Sequence, residues 1–259
     1  MTIQVREKDT GSARFLAARP DELELLTRVA AWLRDNPEPD RVPAEERSLE
    51  LFDDEKALDG FLKTRLFTTG ALSLDLLACH AVPVPFVSRH LDGAGPTRLL
   101  VVENLATYFS IWTVLNERSR SSRPDVHIGW GYGTSFAQSV LSIATLDPVP
   151  ERVCYFGDLD LAGLWIAAVA SATALASGLP PLRAAEPCYR YLLDGPTRWR
   201  RPDKSNTQRY PDYDEPCRWL PGSLRAPVSG LLHARQRIPQ ERLNLSALRH
   251  SLELLVQSL

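Results

Sequence analysis

A chain of 259 residues, 44% hydrophobic and 24% charged, suits a soluble globular protein of one large domain or two small ones, with room for a sizeable core. The four cysteines form no CxxC pair, and the start MTIQVREKDTGS lacks the apolar core of a signal peptide. Both features argue against a secreted disulfide scaffold and make a reducing cytoplasm the default. Formal net charge is only -2, yet residues 1–95 carry 12 Lys+Arg against 17 Asp+Glu, and residues 96–259 carry 18 against 15. An acidic front and a mildly basic back fit a nucleic-acid contact in the second part, although most such imbalances are solvated surface.

Along the front, DELELLTRVAAWLR (21–34) has helical apolar spacing, NPEPDRVP breaks it, and RSLELFDDEKALDGFLKTRLF (47–67) resumes it. Residues 1–95 are therefore expected to form a mostly helical region. The Pro- and Gly-rich stretch AVPVPFVSRHLDGAGPT (81–97) marks its end.

Strands and helices then alternate: strands over 98–102, 127–130 and 153–156, helices over 105–115, 135–146 and 161–176. A βαβαβα run predicts an α/β fold with a largely parallel sheet flanked by helices, assigned to residues 96–259 with a basic C-terminal extension. Residues 161–182 hold no charge and are long enough to cross a bilayer. Their richness in Ala, Ser and Gly and their ending in Pro180-Pro181 favour a buried helix and no membrane contact.

In parallel sheets the ligand site lies at the carboxyl ends of the strands. Glu103 follows the strand RLLVV directly, and Asp158 follows VCYF after one Gly. Asp160 points to the same side as Asp158 in extended chain. If the two strands are neighbours, three carboxylates converge, and an oxygen-only set without Cys or His suits Mg²⁺ or Mn²⁺. A metal would then offset the repulsion between the two aspartates. The plainer alternatives are that Asp160 caps the helix that begins at Leu161 and that Glu103 caps or pairs with an arginine. A DxD pair alone is weak, since haloacid-dehalogenase phosphatases and many glycosyltransferases also use one.

The stretch TRWRRPDKSNTQRY (197–210) interleaves Arg198, Arg200, Arg201, Lys204 and Arg209 with Trp199 and Tyr210, as phosphate contacts with stacking support would require. An ordinary exposed basic loop is the competing reading. Arg118, Arg120 and Arg123 follow a helix and fit its dipole. His127 reads as a core or edge histidine, and the other histidines show no metal spacing. GWGYGTS is neither a Walker loop nor a dinucleotide fingerprint.

VVENLATY, the Gly-rich GWGYG and YFGDLDLAGLWIA together resemble the Toprim domain shared by topoisomerases, primases and several nucleases, whose signature is a Glu after one strand and a DxD after another. More narrowly they are similar to the carboxy-terminal domain of JetD, the nuclease subunit of Wadjet anti-plasmid defence systems. RSLELFDDEKALD and RIPQERL also look like segments of that family. The resemblance implies a Toprim-like parallel sheet and a metal-dependent endonuclease, with Glu103, Asp158 and Asp160 as metal ligands and catalytic residues and Mg²⁺ or Mn²⁺ as cofactor. Glu241 would be an additional carboxylate. No tyrosine carries a motif that marks it as the nucleophile, so an activated water takes that role.

The implied partners are double-stranded plasmid DNA and SMC-like subunits of a defence complex, with a homodimer also allowed. Members of the family are longer at the amino end, and Asp53 stands where their pattern has a Gly. The alternatives are a catalytically silent DNA-binding or scaffold subunit docked on SMC-like partners, or a phosphatase or nucleotidyl enzyme using the same DxD.

Overall fold

The computed structural model describes residues 2–6, 13–17, 20–205 and 212–259, and the chain divides into two compact units, 1–82 and 83–259. In the first, β1 (Thr2–Arg6) and β2 (Ala13–Ala17) form an antiparallel ladder ahead of α1 (Pro20–Asp35). The chain continues through β3 (Val42–Pro43), α2 (Ala44–Phe52), α3 (Ala57–Phe61), α4 (Arg65–Thr68) and β4 (Cys79–His80). The apolar positions of these helices converge on a core that includes Leu26, Val29, Leu51, Leu58, Leu66 and Leu77.

The helical pattern over 47–67 is realised as three short helices. Asp53 ends α2 in the left-handed conformation, with φ 57° and ψ 23°. Ser48 Oγ donates to the Asp54 carbonyl at 2.5 Å, and Asp54 Oδ1 accepts from the Lys56 amide at 2.8 Å. These local side-chain bonds replace the next rung of the helix.

The second unit contains β5 (Val87–Leu91), β6 (Ala94–Val102), α5 (Leu105–Asn116), β7 (Pro124–Trp130), α6 (Phe136–Ser139), β8 (Arg152–Phe156) and α7 (Leu161–Ala176). After these come β9 (Leu182–Ala184), α8 (Glu186–Asp194), β10 (Arg201–Pro202), α9 (Gly222–His233), β11 (Gln236–Arg237), α10 (Leu245–His250) and α11 (Leu252–Ser258).

Its five-stranded sheet has the order β5-β7-β6-β8-β9. Strands β7, β6, β8 and β9 are parallel, but β5 runs antiparallel to β7. The sheet is thus mixed rather than wholly parallel. Only two residues separate β5 from β6, so the chain reverses there and β5 must oppose both β6 and its parallel neighbour. Because β5 belongs to this sheet, the second unit also begins earlier than the boundary at 95/96 read from the sequence.

Alternation along β6 and β8 sorts the core into two layers. Leu100, Val102, Cys154 and Phe156 face one cluster with Tyr108, Ile111, Tyr189 and Leu232, while Leu99, Val101, Val153 and Tyr155 face another with Phe136, Ala167 and Ala170. Helix α7 packs its small residues into the second layer, and no helix among the described residues is long and apolar enough to cross a membrane.

The helix expected over 135–146 is instead a single α turn flanked by 3₁₀ segments. Ser142 Oγ and Thr145 Oγ1 each donate at 2.7 Å to the carbonyl three residues earlier, competing with the α-helical ladder. All four cysteines are free and buried.

Candidate metal centre

Strands β6 and β8 are immediate neighbours, with Val102 opposite Phe156, so Glu103 and the segment 157–160 leave the sheet side by side. The Glu103 amide donates to the Phe156 carbonyl at 3.2 Å, and Trp130 Nε1 holds the Glu103 carbonyl at 3.0 Å. These bonds fix the backbone from which the Glu103 side chain turns toward β8. Its Oε2 accepts from the Asp158 amide at 3.3 Å and from the Tyr155 hydroxyl at 3.4 Å.

Gly157 makes this approach possible: a Cβ there would lie 2.5 Å from Glu103 Oε2. The Gly157 amide is taken by the buried Tyr189 hydroxyl at 2.9 Å.

Asp158 and Asp160 are both 8% exposed. Asp158 Oδ1 accepts from the Gln240 amide at 2.9 Å and from Asn104 Nδ2 at 3.3 Å. The same Asn104 Nδ2 donates to Glu241 Oε1 at 2.9 Å, which brings Glu241 to the rim of the site. Asp160 caps α7, accepting from the Gly163 amide at 2.8 Å. The plainer reading of Asp160 therefore holds for one of its oxygens.

Its other oxygen and the second oxygen of Asp158 face Arg237, whose Nη1 lies 3.6 Å from Asp160 Oδ2 and 3.0 Å from Asp158 Oδ2. The aspartate repulsion is offset here by a guanidinium. Arg237 is positioned by an antiparallel bridge in which Leu159 and Ile238 exchange backbone bonds of 3.0 and 3.1 Å. Gln240, fully buried, clamps the two strand ends: oriented by hydrogen-bond complementarity, its amide donates to Phe156 O at 2.9 Å and accepts from the Asn104 amide at 2.5 Å.

Burial pushes the Glu103 carboxyl up to about 7, reinforced by the charges of Asp158 and Asp160 and opposed by the Asp158 amide. Burial likewise pushes Asp158 up to about 6 against the Gln240 amide and Arg237, and raises Asp160 against its helix cap. Carboxyls raised in this way bind a proton more tightly than usual, and a cation competes with that proton.

The structure brings together Glu103, Asp158, Asp160 and, through Asn104, Glu241. Arg237, Asn104, Gln240 and Asp203 were not singled out from the sequence. Asp203, the only acid within 197–210, is buried, and its Oδ2 accepts from the Leu161 amide at 3.4 Å beside Asp160. Its isolation within a basic run was the available signal. Arg237 had only its place at the head of RIPQERL.

Among the described residues, the set of His, Cys, Asp or Glu ligand atoms that all lie within 4.8 Å of one another is His90, Asp92 and Asp125, not the acidic triad. Sequence spacing could not find it, because Asp125 reaches His90 across β5 and β7. Both His90 ring nitrogens already face carboxylates, Asp125 at 2.9 Å and Asp92 at 3.4 Å, and Thr97 and Gly93 fill further Asp125 positions. His127 is a core histidine bonded to the Pro148 carbonyl at 2.8 Å, its basicity lowered by burial.

In the basic stretch, Arg198, Arg200, Arg201 and Lys204 are exposed, while Arg209 lies outside the described residues. Arg201 folds back, donating to the Arg198 and Arg200 carbonyls at 2.7 and 3.0 Å. It also pairs with Arg237 across β10 and β11, which ties this segment to the strand that bears the site's guanidinium. Arg123 serves structure, its Nε bonding the Asp92 carbonyl at 2.8 Å.

Compared with protein-family models, curated proteins and solved structures, the chain finds no match in any of the three.

Proposed function

We propose that this chain is a divalent-metal-dependent DNA endonuclease of Toprim type, acting with SMC-like partners against plasmid DNA. The observation that carries the reading is the meeting of Glu103 with Asp158 and Asp160 at the ends of adjacent parallel strands, with Glu103 and Asp158 held near protonation. The oxygen-only donor set and the excess of buried carboxylate fit Mg²⁺ or Mn²⁺, with Glu103, Asp158 and Asp160 as the residues that would hold it. When bound, such an ion stabilises the charge that builds on the phosphoryl oxygens during hydrolysis.

The chain's own groups supply the rest. Asn104 and the Gln240 amide orient Asp158. Glu103 is turned toward the aspartates by the Asp158 amide, from which its Oε2 accepts at 3.3 Å. Arg237 offers a guanidinium to the phosphate once the aspartates have another counter-ion. Arg198, Arg200 and Lys204 supply sequence-independent phosphate contacts.

One observation favours a catalytically silent DNA-docking subunit instead: Arg237 already stands as counter-ion to Asp158 and Asp160. Circular plasmid, Mg²⁺ or Mn²⁺ and the complete set of partner subunits decide between the two. Under the nuclease reading the wild type nicks or linearises the plasmid, and Asp158→Asn, Asp160→Asn and Glu103→Gln each abolish cutting while DNA affinity is kept. A wild type that stays inactive in the full assembly overturns it and leaves the docking subunit.

A further inference from the structure

A cleft lies at the other end of the same strands. Asp158 is six residues beyond Arg152, or about 20 Å at the usual strand rise. This cleft, of about 730 Å³, has Cys154 on its floor and Arg152 and Arg183 on its wall, and a neighbouring lobe of about 190 Å³ adds Arg98.

Register explains the grouping. Arg98 sits opposite Arg152, and Arg183 opposite Cys154, so the three guanidiniums leave three adjacent parallel strands on one face. Like charges so placed repel; Glu151 lines the smaller lobe beside Arg98 and Arg152, and Asp194 lines the cleft. Arg152 donates to the Leu259 carbonyl at 3.0 Å. The guanidiniums of Arg98 and Arg183 have no hydrogen bond or ion pair with the described residues. Glu186, also in the cleft, is engaged by Arg190 and Ser223 at 2.6 Å each. All three arginines pull the Cys154 thiol down against a larger upward push from burial.

The lining also includes two aromatic rings. Tyr191 and Trp199 pack with ring centroids 5.6 Å apart. Trp199 lies so close over Gly195 that a Cβ there would be 2.1 Å from its ring, and the Arg242 guanidinium stands 5.9 Å from the centroid of the same indole.

We propose that this cleft binds a nucleoside phosphate, with Arg98, Arg152 and Arg183 on the phosphate and the Tyr191–Trp199 pair against the base. Guanidiniums match phosphate oxygens bidentately, an aromatic face accepts any base, and the cavity has the size of small-molecule sites. The phosphate belongs either to a free nucleotide or to the 5′-phosphorylated end of a nucleic-acid strand. Neither source depends on the acidic centre being a nuclease.

Calorimetric titration of the 259-residue chain tests this with four probes: inorganic phosphate, ATP, a 5′-phosphorylated thymidine oligonucleotide and the same oligonucleotide with a 5′-hydroxyl. ATP or the phosphorylated strand should bind, and Arg98→Ala with Arg183→Ala should weaken that binding roughly tenfold or more. Trp199→Leu should weaken the nucleoside probes and leave inorganic phosphate unchanged. Preference for ATP assigns a free nucleotide, and preference for the 5′-phosphate over the 5′-hydroxyl assigns a strand end. Arg183 is exposed and Arg98 half-buried, so a circular-dichroism melt matching the wild type is the control that shows the variant is folded. Binding that survives the double substitution, equal binding of both oligonucleotides without ATP binding, or no binding by any probe overturns the proposal.

Discussion

Glu103 Oε2 lies 3.3 Å from the backbone amide of Asp158, a residue 55 positions further along the chain. One parallel pairing, β6 on β8, produces this contact, and the amide's donation only partly offsets what burial does to the carboxylate.

Stability of the metal-free protein should therefore fall with rising pH. Glu103 has a folded value of about 7 against an ordinary 4.5. Below the ordinary value both states are protonated and its contribution is fully present. Between about 4.5 and 7 the unfolded chain ionises first, so stability is lost, by at most about 3 kcal/mol after allowance for solvent. Asp158, raised to about 6, acts in the same direction. Thermal melts in EDTA from pH 5 to 8 should show a falling Tm, and Glu103→Gln should flatten the profile. A flat wild-type profile would sink the account.

Gly157→Ala should both destabilise the fold and misplace Glu103, because the new methyl would stand 2.5 Å from Oε2 and 2.9 Å from the Tyr155 ring. A loss of about 1–3 kcal/mol is expected, along with weaker Mg²⁺ binding by calorimetry. Gly230→Ala meets nothing within 4 Å inside α9 and serves as control, neutral or stabilising by up to about 1 kcal/mol. Equal melts for the two variants would show that Glu103 yields freely.

Arg198→Ala with Arg200→Ala should weaken DNA binding on every sequence and flatten its salt dependence by roughly 0.9 per lost contact. Arg201→Ala should change the slope less, because its guanidinium is spent on the Arg198 and Arg200 carbonyls. An unaltered slope in the double variant assigns these residues to ordinary surface.

Asp53→Gly should stabilise the first unit. Asp53 ends α2 at φ 57°, a conformation glycine adopts without steric cost. A gain of about 0.5–1 kcal/mol in chemical denaturation is expected. A loss would mean that the Asp53 side chain contributes more to the cap than the backbone strain costs.

Strands β6 and β8 were legible because each is an apolar run, and α7 because it is a long uncharged one; the helix over 161–176 matches α7 from end to end. So were the positions of Glu103 and Asp158, since chain order alone puts them just beyond two strand ends. Sequence could not fix the direction of β5, because that follows from a two-residue reversal and from pairing with β7, a strand more than thirty residues away. Nor could it reveal the helix end at Asp53, set by a left-handed backbone cap, or the break at Ser142, where a side-chain bond competes with a sound apolar pattern. Arg237 reaches Asp158 from 79 residues away, carried by the single backbone bridge between Leu159 and Ile238. Arg98, Arg152 and Arg183 read as scattered charges until parallel register sets them side by side. Local pattern determines which elements form, because it acts within a turn or a strand; which charges meet is decided by strand order and register, which only the packed sheet defines.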